Sequence, residues 1–454
     1  MRIGIPLPGG AMNPRPAPNH VVDVAVVGAR VAGSALAARL ATAGLSVALF
    51  DRAAPQQPTL STHILHGTED LRIEGVYGEL LAAGVPELRE VRVRIEDIEL
   101  PLRHDDAPGM CPPREILDQI LLDRAGAAGA KAFIGTPVVG LLDGDRARVG
   151  GVVVQAPDSS VSEVRARLVV GADGRNSSVA RWVGAREYLS SRSERALVWR
   201  YFRGKQLPPV LHWHRRGEHI VSILPTGAGE FVLIAQPPDR AQAELADPDP
   251  GTLVRHAERV SPRIAELARG AEPAGPPRRI VRYPCYFRQP YGPGWALVGD
   301  AGHGKDATLG QGINDALRNA RLLAAALVES WPDVDALDGG LRRWARDRDR
   351  MELANYWYGQ DLGRAVPVTA MERAILLGIQ RSPAACRRLD DVMADRLAAD
   401  RLLTPSRLLA AGARRIRAGE APWTVAGDAG ELVSLAWRRR RAAARQDPTA
   451  PAIR

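Results

Sequence analysis

The sequence predicts an α/β protein: a Rossmann-like three-layer domain, an antiparallel β-sheet domain inserted into it, and a C-terminal helical region. Three observations predict this. Glycine-rich signatures occur in a fixed order: Gly28-Ala29-Arg30-Val31-Ala32-Gly33-Ser34, Gly171-Ala172-Asp173-Gly174, and Gly299-Asp300-Ala301-Gly302-His303, the last running on to Gly310-Gln311-Gly312-Ile313. Between the second and third, short β-type runs alternate with turns. Beyond residue 366 the pattern is helical. The expected division is a discontinuous three-layer domain at 20–90, 110–187 and 283–365, an inserted sheet at 91–109 and 188–282, helices at 366–454, and a disordered extension at 1–19.

Residues 22–27 are a short apolar run of the kind that a parallel strand covered on both faces requires. Gly28 permits a sharp turn, residues 34–43 form an alanine- and leucine-rich helix stopped at Gly44, and residues 46–50 form the next strand, ending at Asp51. Such a unit binds a dinucleotide: N–H groups and the dipole at the helix start hold the pyrophosphate, and the acidic residue accepts from a ribose hydroxyl. Arg30 replaces the second glycine of this fingerprint, so its side chain either points away or contacts phosphate as a charged donor.

In the middle of the chain, residues 197–202, 210–214, 219–224 and 231–236 read as strands, with 226–230 as a hairpin loop. Residues 279–287 add another strand before the third signature, and 90–102 contribute one or two. In the helical tail, residues 375–377 and the pair Leu408 and Leu409 supply apolar faces, either capping the site or forming a homodimer contact.

At 454 residues the chain exceeds one ordinary core, so two or three domains are expected. Cys111, Cys285 and Cys386 are too few and too scattered for a disulfide framework or metal cluster, which fits a reducing cytoplasm. No run of 18 apolar residues is present to span a membrane, and residues 1–19 lack a signal-peptide core. The expectation is a soluble, cytoplasmic protein. The net charge of +9 comes from arginines spread among acids. The dense run Arg438 to Arg441 reads as a solvated helix face, and no aromatic-interleaved basic stripe supports nucleic-acid binding.

On its three signatures the chain resembles the group A FAD-dependent monooxygenases, the aromatic hydroxylases built like p-hydroxybenzoate hydroxylase. Within them it is most similar to bacterial oxidoreductases whose first motif reads GARxAGS, over about residues 20 to 365. The resemblance implies a Rossmann-like three-layer FAD-binding domain, with Gly28, Ala29, Arg30, Gly33, Ser34, Asp51 and Arg52 around the cofactor. It implies that Asp173 and Gly174 lie near the pyrophosphate and serve NADPH or NADH use, and that Gly299 and Asp300 meet the ribitol or ribose. Gly310, Gln311, Gly312 and Ile313 then run beside the isoalloxazine, and Arg114 reaches FAD from the start of a helix. Glycines at 310 and 312 also allow backbone N–H groups to approach a flat ring. Ala307 stands where proline is common and Leu309 where glycine is common, which bears on the room above the ring.

The implied reaction consumes NADPH or NADH and molecular oxygen. Through a flavin C4a-hydroperoxide, one oxygen atom hydroxylates or epoxidises an electron-rich small molecule, aromatic or polyketide-like, as in secondary metabolism. Candidate catalytic residues are His63, His66 and Lys305, one of only three lysines. Ser61 and Thr62 alternatively give the His63 segment a mere capping role. Strand alternation puts His212 and His214 on one face, facing either substrate or solvent, and Trp199 and Tyr201 serve as core packing or pocket wall. No metal is expected. A geranylgeranyl-reductase-like saturase shares the three motifs and is the alternative, followed by a non-catalytic flavoprotein subunit. Halogenation is opposed by the absence of any lysine before Lys131 and of a Trp-x-Trp segment.

Overall fold

The apolar runs that precede the signatures become neighbouring parallel strands of one sheet. The computed structural model describes residues 20–53, 61, 63–104, 108–156, 158–245, 249–331, 333–402 and 404–444. The extension at 1–19 and Thr62 lie outside the described residues. Strand His20–Val27 pairs in parallel with Val47–Asp51 on one side and Val161–Gly171 on the other. Lys131–Ile134 adds beyond Val47–Asp51, and Trp295–Leu297 beyond Val161–Gly171. Val24, Val26, Leu49 and Val169 are fully buried, because layers cover both faces of this sheet.

One layer comprises the helices Val31–Thr42, Arg114–Ala127, Gly312–Ser330 and Val334–Gly363; they bury Leu36, Leu121, Leu317 and Leu341 against the sheet. The opposite layer contains the antiparallel strands Val138–Asp143 and Val149–Gln155 and the short helix Ser178–Trp182. The strand order places the carboxyl ends of four neighbouring strands side by side. Each runs into a predicted signature: Gly28, Asp51, Ala172-Asp173 and Gly299-Asp300. This edge is where parallel α/β sheets bind ligands.

A second sheet runs in the order Glu272–Pro273, Leu197–Arg203, Glu230–Gln236, His219–Gly227, Val210–Arg216, Glu90–Ile95, Ile98–Arg103. It is antiparallel except where Val210–Arg216 meets Glu90–Ile95 in parallel. Side-chain alternation sorts its faces. Val91, Val93, Trp199, Leu211 and Trp213 face the C-terminal helices, whereas Val198, Phe202, Val221 and Phe231 face the helices Pro250–Val260 and Pro262–Ala268.

Three expectations need correction. The single strand expected at 279–287 is two strands of different sheets. Arg278–Ile280 joins Leu197–Arg203, whereas Pro284–Arg288 pairs with Glu187–Arg192 and His303–Gly304; Arg282, at φ 45°, lies between them. Within the C-terminal helices Ala370–Gln380, Pro383–Met393, Pro405–Arg417 and Pro422–Ala444, Ile375 is buried but Leu409 is 75% exposed. Arg439, from the supposedly solvated basic run, donates to both Asp361 carboxylate oxygens at 2.5 and 2.6 Å. No helix among the described residues is long and apolar enough to cross a membrane.

Candidate active site

A cavity of about 600 Å³ follows the edge where the signatures meet and extends to Leu197 and Ile280 of the second sheet. Its first wall is a turn in which backbone packs on backbone. A Cβ on Gly33 would lie 1.8 Å from the Gly28 carbonyl oxygen, and one on Gly28 would lie 2.4 Å from that of Ala172. Asp51 Oδ2 accepts from Ala29 N at 2.8 Å, and Ser34 Oγ donates to the Ala29 carbonyl at 2.8 Å. Gly28, Arg30, Asp51 and Arg52 therefore line the cavity, whereas Ala29, Gly33 and Ser34 shape the turn from behind. Gly299 is likewise behind the wall, where a Cβ would lie 2.9 Å from Ala32 Cβ.

Four arginines surround this end: Arg30, Arg52, Arg114 and Arg175. Arg114 Nη2 donates to Asp118 Oδ1 at 2.8 Å, and Arg175 Nη2 lies 3.5 Å from Asp300 Oδ2. Arg30 and Arg52 have no carboxylate partner among the described residues, so the wall holds surplus positive charge for an anionic diphosphate. Asp173 and Gly174 line the cavity as expected. The Asp173 carboxylate, however, accepts from the Ser177 hydroxyl and from Ser178 N and Val179 N at 2.6 and 3.2 Å. It is committed to holding the start of the Ser178–Trp182 helix.

At the other end, Asp306 builds the turn before Gly310. Its Oδ1 accepts from Thr308 N at 2.9 Å, Thr308 Oγ1 at 2.7 Å and Tyr283 OH at 3.1 Å. Gly310 has φ 66°, and a Cβ there would approach His66 Nε2 to 3.0 Å. A Cβ on Gly312 would meet nothing within 4 Å, so the backbone beside Ile313 is open to a flat ligand. Gln311 lines the cavity, yet its side chain serves elsewhere: Nε2 donates to the Val392 carbonyl at 3.0 Å, and Oε1 accepts from Lys305 at 3.1 Å. Ala307 and Leu309, the two departures from the family pattern, both line the cavity, and Leu309 Cδ1 packs against Gly359.

Lys305 reaches the cavity from a buried ion cluster. Its Nζ lies 2.9 Å from Asp315 Oδ2 and 3.0 Å from Glu352 Oε2, and Arg318 pairs with the same carboxylates at 2.8 and 2.9 Å. Burial opposes the ammonium charge, but Asp315 and Glu352 outweigh it and hold the Lys305 pKa above its usual value. Burial also opposes the Glu352 charge, and Lys305 and Arg318 overcome it; Asp315, crowded by burial and by Glu352, is pushed upward instead. His303, Asp315 and Glu352 form the one trio with metal-ligand spacing among the described residues, but Lys305 already supplies the cation between the carboxylates.

Of the three histidines near the cavity, His63 and His303 line it and His66 does not. The Tyr201 hydroxyl lies 3.1 Å from each His63 ring nitrogen. Burial, then the charges of Arg114 and Arg278, push the His63 pKa well down, and burial raises that of Tyr201. Tyr201 thus stands behind His63 rather than on the wall. His66 sits behind Gly310, its pKa pushed down by burial to about 3. Trp199 is fully buried in the core, away from the cavity.

His212 and His214 are the clear miss. They occupy the sheet face covered by the Pro250–Val260 and Pro262–Ala268 helices, where His214 Nδ1 lies 2.7 Å from Ser261 Oγ. Sequence reading also passed over Arg175, Asp315 and Glu352, and Asp306, an expected partner of Lys305, instead bonds Thr308 and Tyr283. Arg175 and Asp315 sit inside or just after signature runs, a usable signal; Glu352 meets Lys305 across 47 residues and carries none.

The open backbone at Gly312, the tight turn at Gly28 and the charge of Arg30 and Arg52, which have no carboxylate partner among the described residues, fit FAD, and these residues could hold it. Fold and cavity together define a dinucleotide-dependent flavoprotein in which a second sheet closes the cofactor cleft. A family model described as FAD binding domain matches residues 21–350. The chain belongs to that family, the p-hydroxybenzoate hydroxylase-like group A flavoprotein monooxygenases, and is an FAD-dependent oxidoreductase.

Individual known proteins are similar to the chain as well. The ubiquinone hydroxylase UbiL of Rhodospirillum rubrum is 29% identical over 330 residues, covering 68% of this chain and 73% of that one. Digeranylgeranylglycerophospholipid reductase 2 of Methanothermobacter thermautotrophicus is 34% identical over 170 residues, 36% of this chain and 42% of that one. The solved structure of the flavin-dependent brominase Bmp2 superposes with TM-score 0.68 at 19% identity, covering 83% of this chain and 94% of that one. At that identity the likeness speaks for the fold alone.

Proposed function

We propose that the protein is an NAD(P)H-consuming monooxygenase that hydroxylates or epoxidises an electron-rich small molecule, aromatic or polyketide-like. The observation that carries this reading is the single cavity that joins the cofactor turn at Gly28 to residues 310–313 and continues against Leu197, Ile280 and His63. Bound FAD supplies the redox chemistry of oxygen insertion when reduced by the nicotinamide. The chain supplies the rest. Leu197, Ile280, Ala307 and Leu309 give an apolar wall that excludes water. His63, kept neutral, accepts a hydrogen bond at a ring nitrogen from a substrate hydroxyl and so positions it, and the Tyr201 hydroxyl orients that ring.

The purified protein should be yellow. Its NADPH or NADH oxidation and its oxygen uptake should rise together on adding the right compound from a panel of phenols and polycyclic polyketides, giving a product one oxygen atom heavier. NAD(P)H oxidation without coupled oxygen uptake on any compound would sink the reading. The similarity to digeranylgeranylglycerophospholipid reductase 2 supports a second one, reduction of isolated carbon–carbon double bonds in prenyl chains. It predicts a product two hydrogen atoms heavier, formed anaerobically with dithionite-reduced enzyme.

A further inference from the structure

The positive charge of the chain is unevenly placed. Residues 366–444 hold fourteen arginines and eight acidic residues, so six of the nine net charges reside there. The same region carries the two most exposed large hydrophobic side chains among the described residues, Trp423 at 78% and Leu409 at 75%, and Ile416, Val433 and Trp437 are exposed with them.

Helical geometry organises these side chains. Leu409 and Ile416 are seven residues apart on the Pro405–Arg417 helix. On Pro422–Ala444, Trp423 and Trp437 are two heptads apart, and Val433 falls on the same stripe. The other stripe of that helix, Val425, Ala429 and Leu432, packs inward on the second-sheet core. Trp423 and Val433, on the outward stripe, are exposed and stand outside that core. A basic side chain borders this outward face on the first helix, where Arg417 is exposed beside Ile416.

We propose that the outward face of the Pro405–Arg417 and Pro422–Ala444 helices docks on the surface of a lipid bilayer that carries anionic headgroups. Tryptophan and aliphatic side chains bordered by arginine match the boundary between acyl chains and headgroups, and the net charge of the region is complementary to anionic lipid. A second copy is the poorer occupant, because pairing identical faces sets the same positive charge against itself. The assignment stands independently of the reaction catalysed in the cavity.

The test uses full-length protein with phosphatidylcholine vesicles, with and without phosphatidylglycerol. The protein should co-sediment with the phosphatidylglycerol vesicles, less so as salt rises, and its tryptophan emission should shift to the blue. The double variant Leu409→Gln, Trp423→Gln should lower the partition coefficient about tenfold or more, since the apolar contact is removed. Arg417→Glu should weaken binding only where phosphatidylglycerol is present. All three positions are exposed, so circular dichroism should match the parent. Absence of vesicle binding overturns the proposal, as does equal binding by the double variant. So does a concentration-dependent dimer that Trp423→Gln dissolves, which assigns the face to a second copy.

Discussion

His63 carries backbone strain at the point where its ring meets Tyr201, with φ 64°. A non-glycine residue in this region costs roughly 1–3 kcal/mol unless its surroundings impose the conformation, and asparagine tolerates it better than most. His63→Asn therefore keeps the backbone and removes the ring. Its flavin absorbance should match the parent, while turnover of a hydroxylated substrate falls about tenfold, the contribution of one positioning hydrogen bond. Unchanged turnover would leave His63 as a wall residue. Lys305 tests a different kind of dependence. Lys305→Met leaves Glu352 and Asp315 buried with Arg318 alone, which should cost about 3–5 kcal/mol in urea unfolding. At this scale the sequence revealed what backbone geometry demands: Gly28, Gly310 and Gly312 follow from tight turns and an open edge. It did not separate residues that face the cavity from those that build it. Asp173 and Gln311 both sit in signatures, but their side chains bond to a helix start and to the Val392 carbonyl, partners that only folding brings near.

Among the elements, alternation along Val210–Arg216 correctly split its side chains into two faces, but alternation carries no label for which face meets the cofactor. The label comes from the Pro250–Val260 and Pro262–Ala268 helices, which roof the histidine face. That layer has a consequence for acid stability. Burial above all pushes His212, His214 and His256 down to about pKa 4, from an ordinary value near 6.5. The unfolded chain then binds more protons than the folded one between pH 6.5 and 4. Stability should be level above pH 6.5 and fall as pH drops through that window, by up to about 1.4 kcal/mol per pH unit for each histidine. Thermal midpoints measured from pH 7.5 to 4.5 should show this fall, and His214→Gln should flatten it. A parent curve flat to pH 4.5 would mean that these rings stay solvated.

For the whole molecule, the three signatures announced that distant segments converge, and the parallel strand order is the physical means by which they do. What sequence reading left open was the tail beyond residue 366, taken either as a cap or as a dimer contact. The structure gives it a third role, as one side of a core. Met371, Ile375, Ile379, Leu389 and Val392 pack with Val91, Val93, Leu100, Trp199 and Trp213, residues that lie 150 to 300 positions earlier on a sheet face to which Ile64, Tyr358 and Leu362 add only partial cover. Gln311, at the cofactor edge, is tied to the same tail through Val392. A chain ending at residue 365 should therefore lose more than an appendage. The bare sheet face exposes at least two tryptophans and a row of aliphatic side chains, a patch of the size that drives aggregation. The truncated chain should be largely insoluble, and any soluble fraction should bind FAD weakly, because the 310–313 loop has lost its anchor. Soluble yield and the ratio of flavin to protein absorbance read both effects. A soluble, fully yellow truncation would show instead that residues 20–365 fold alone and that the tail is accessory. Gln311→Ala in the full chain divides the two effects: it should weaken FAD while leaving solubility intact, since the sheet stays covered.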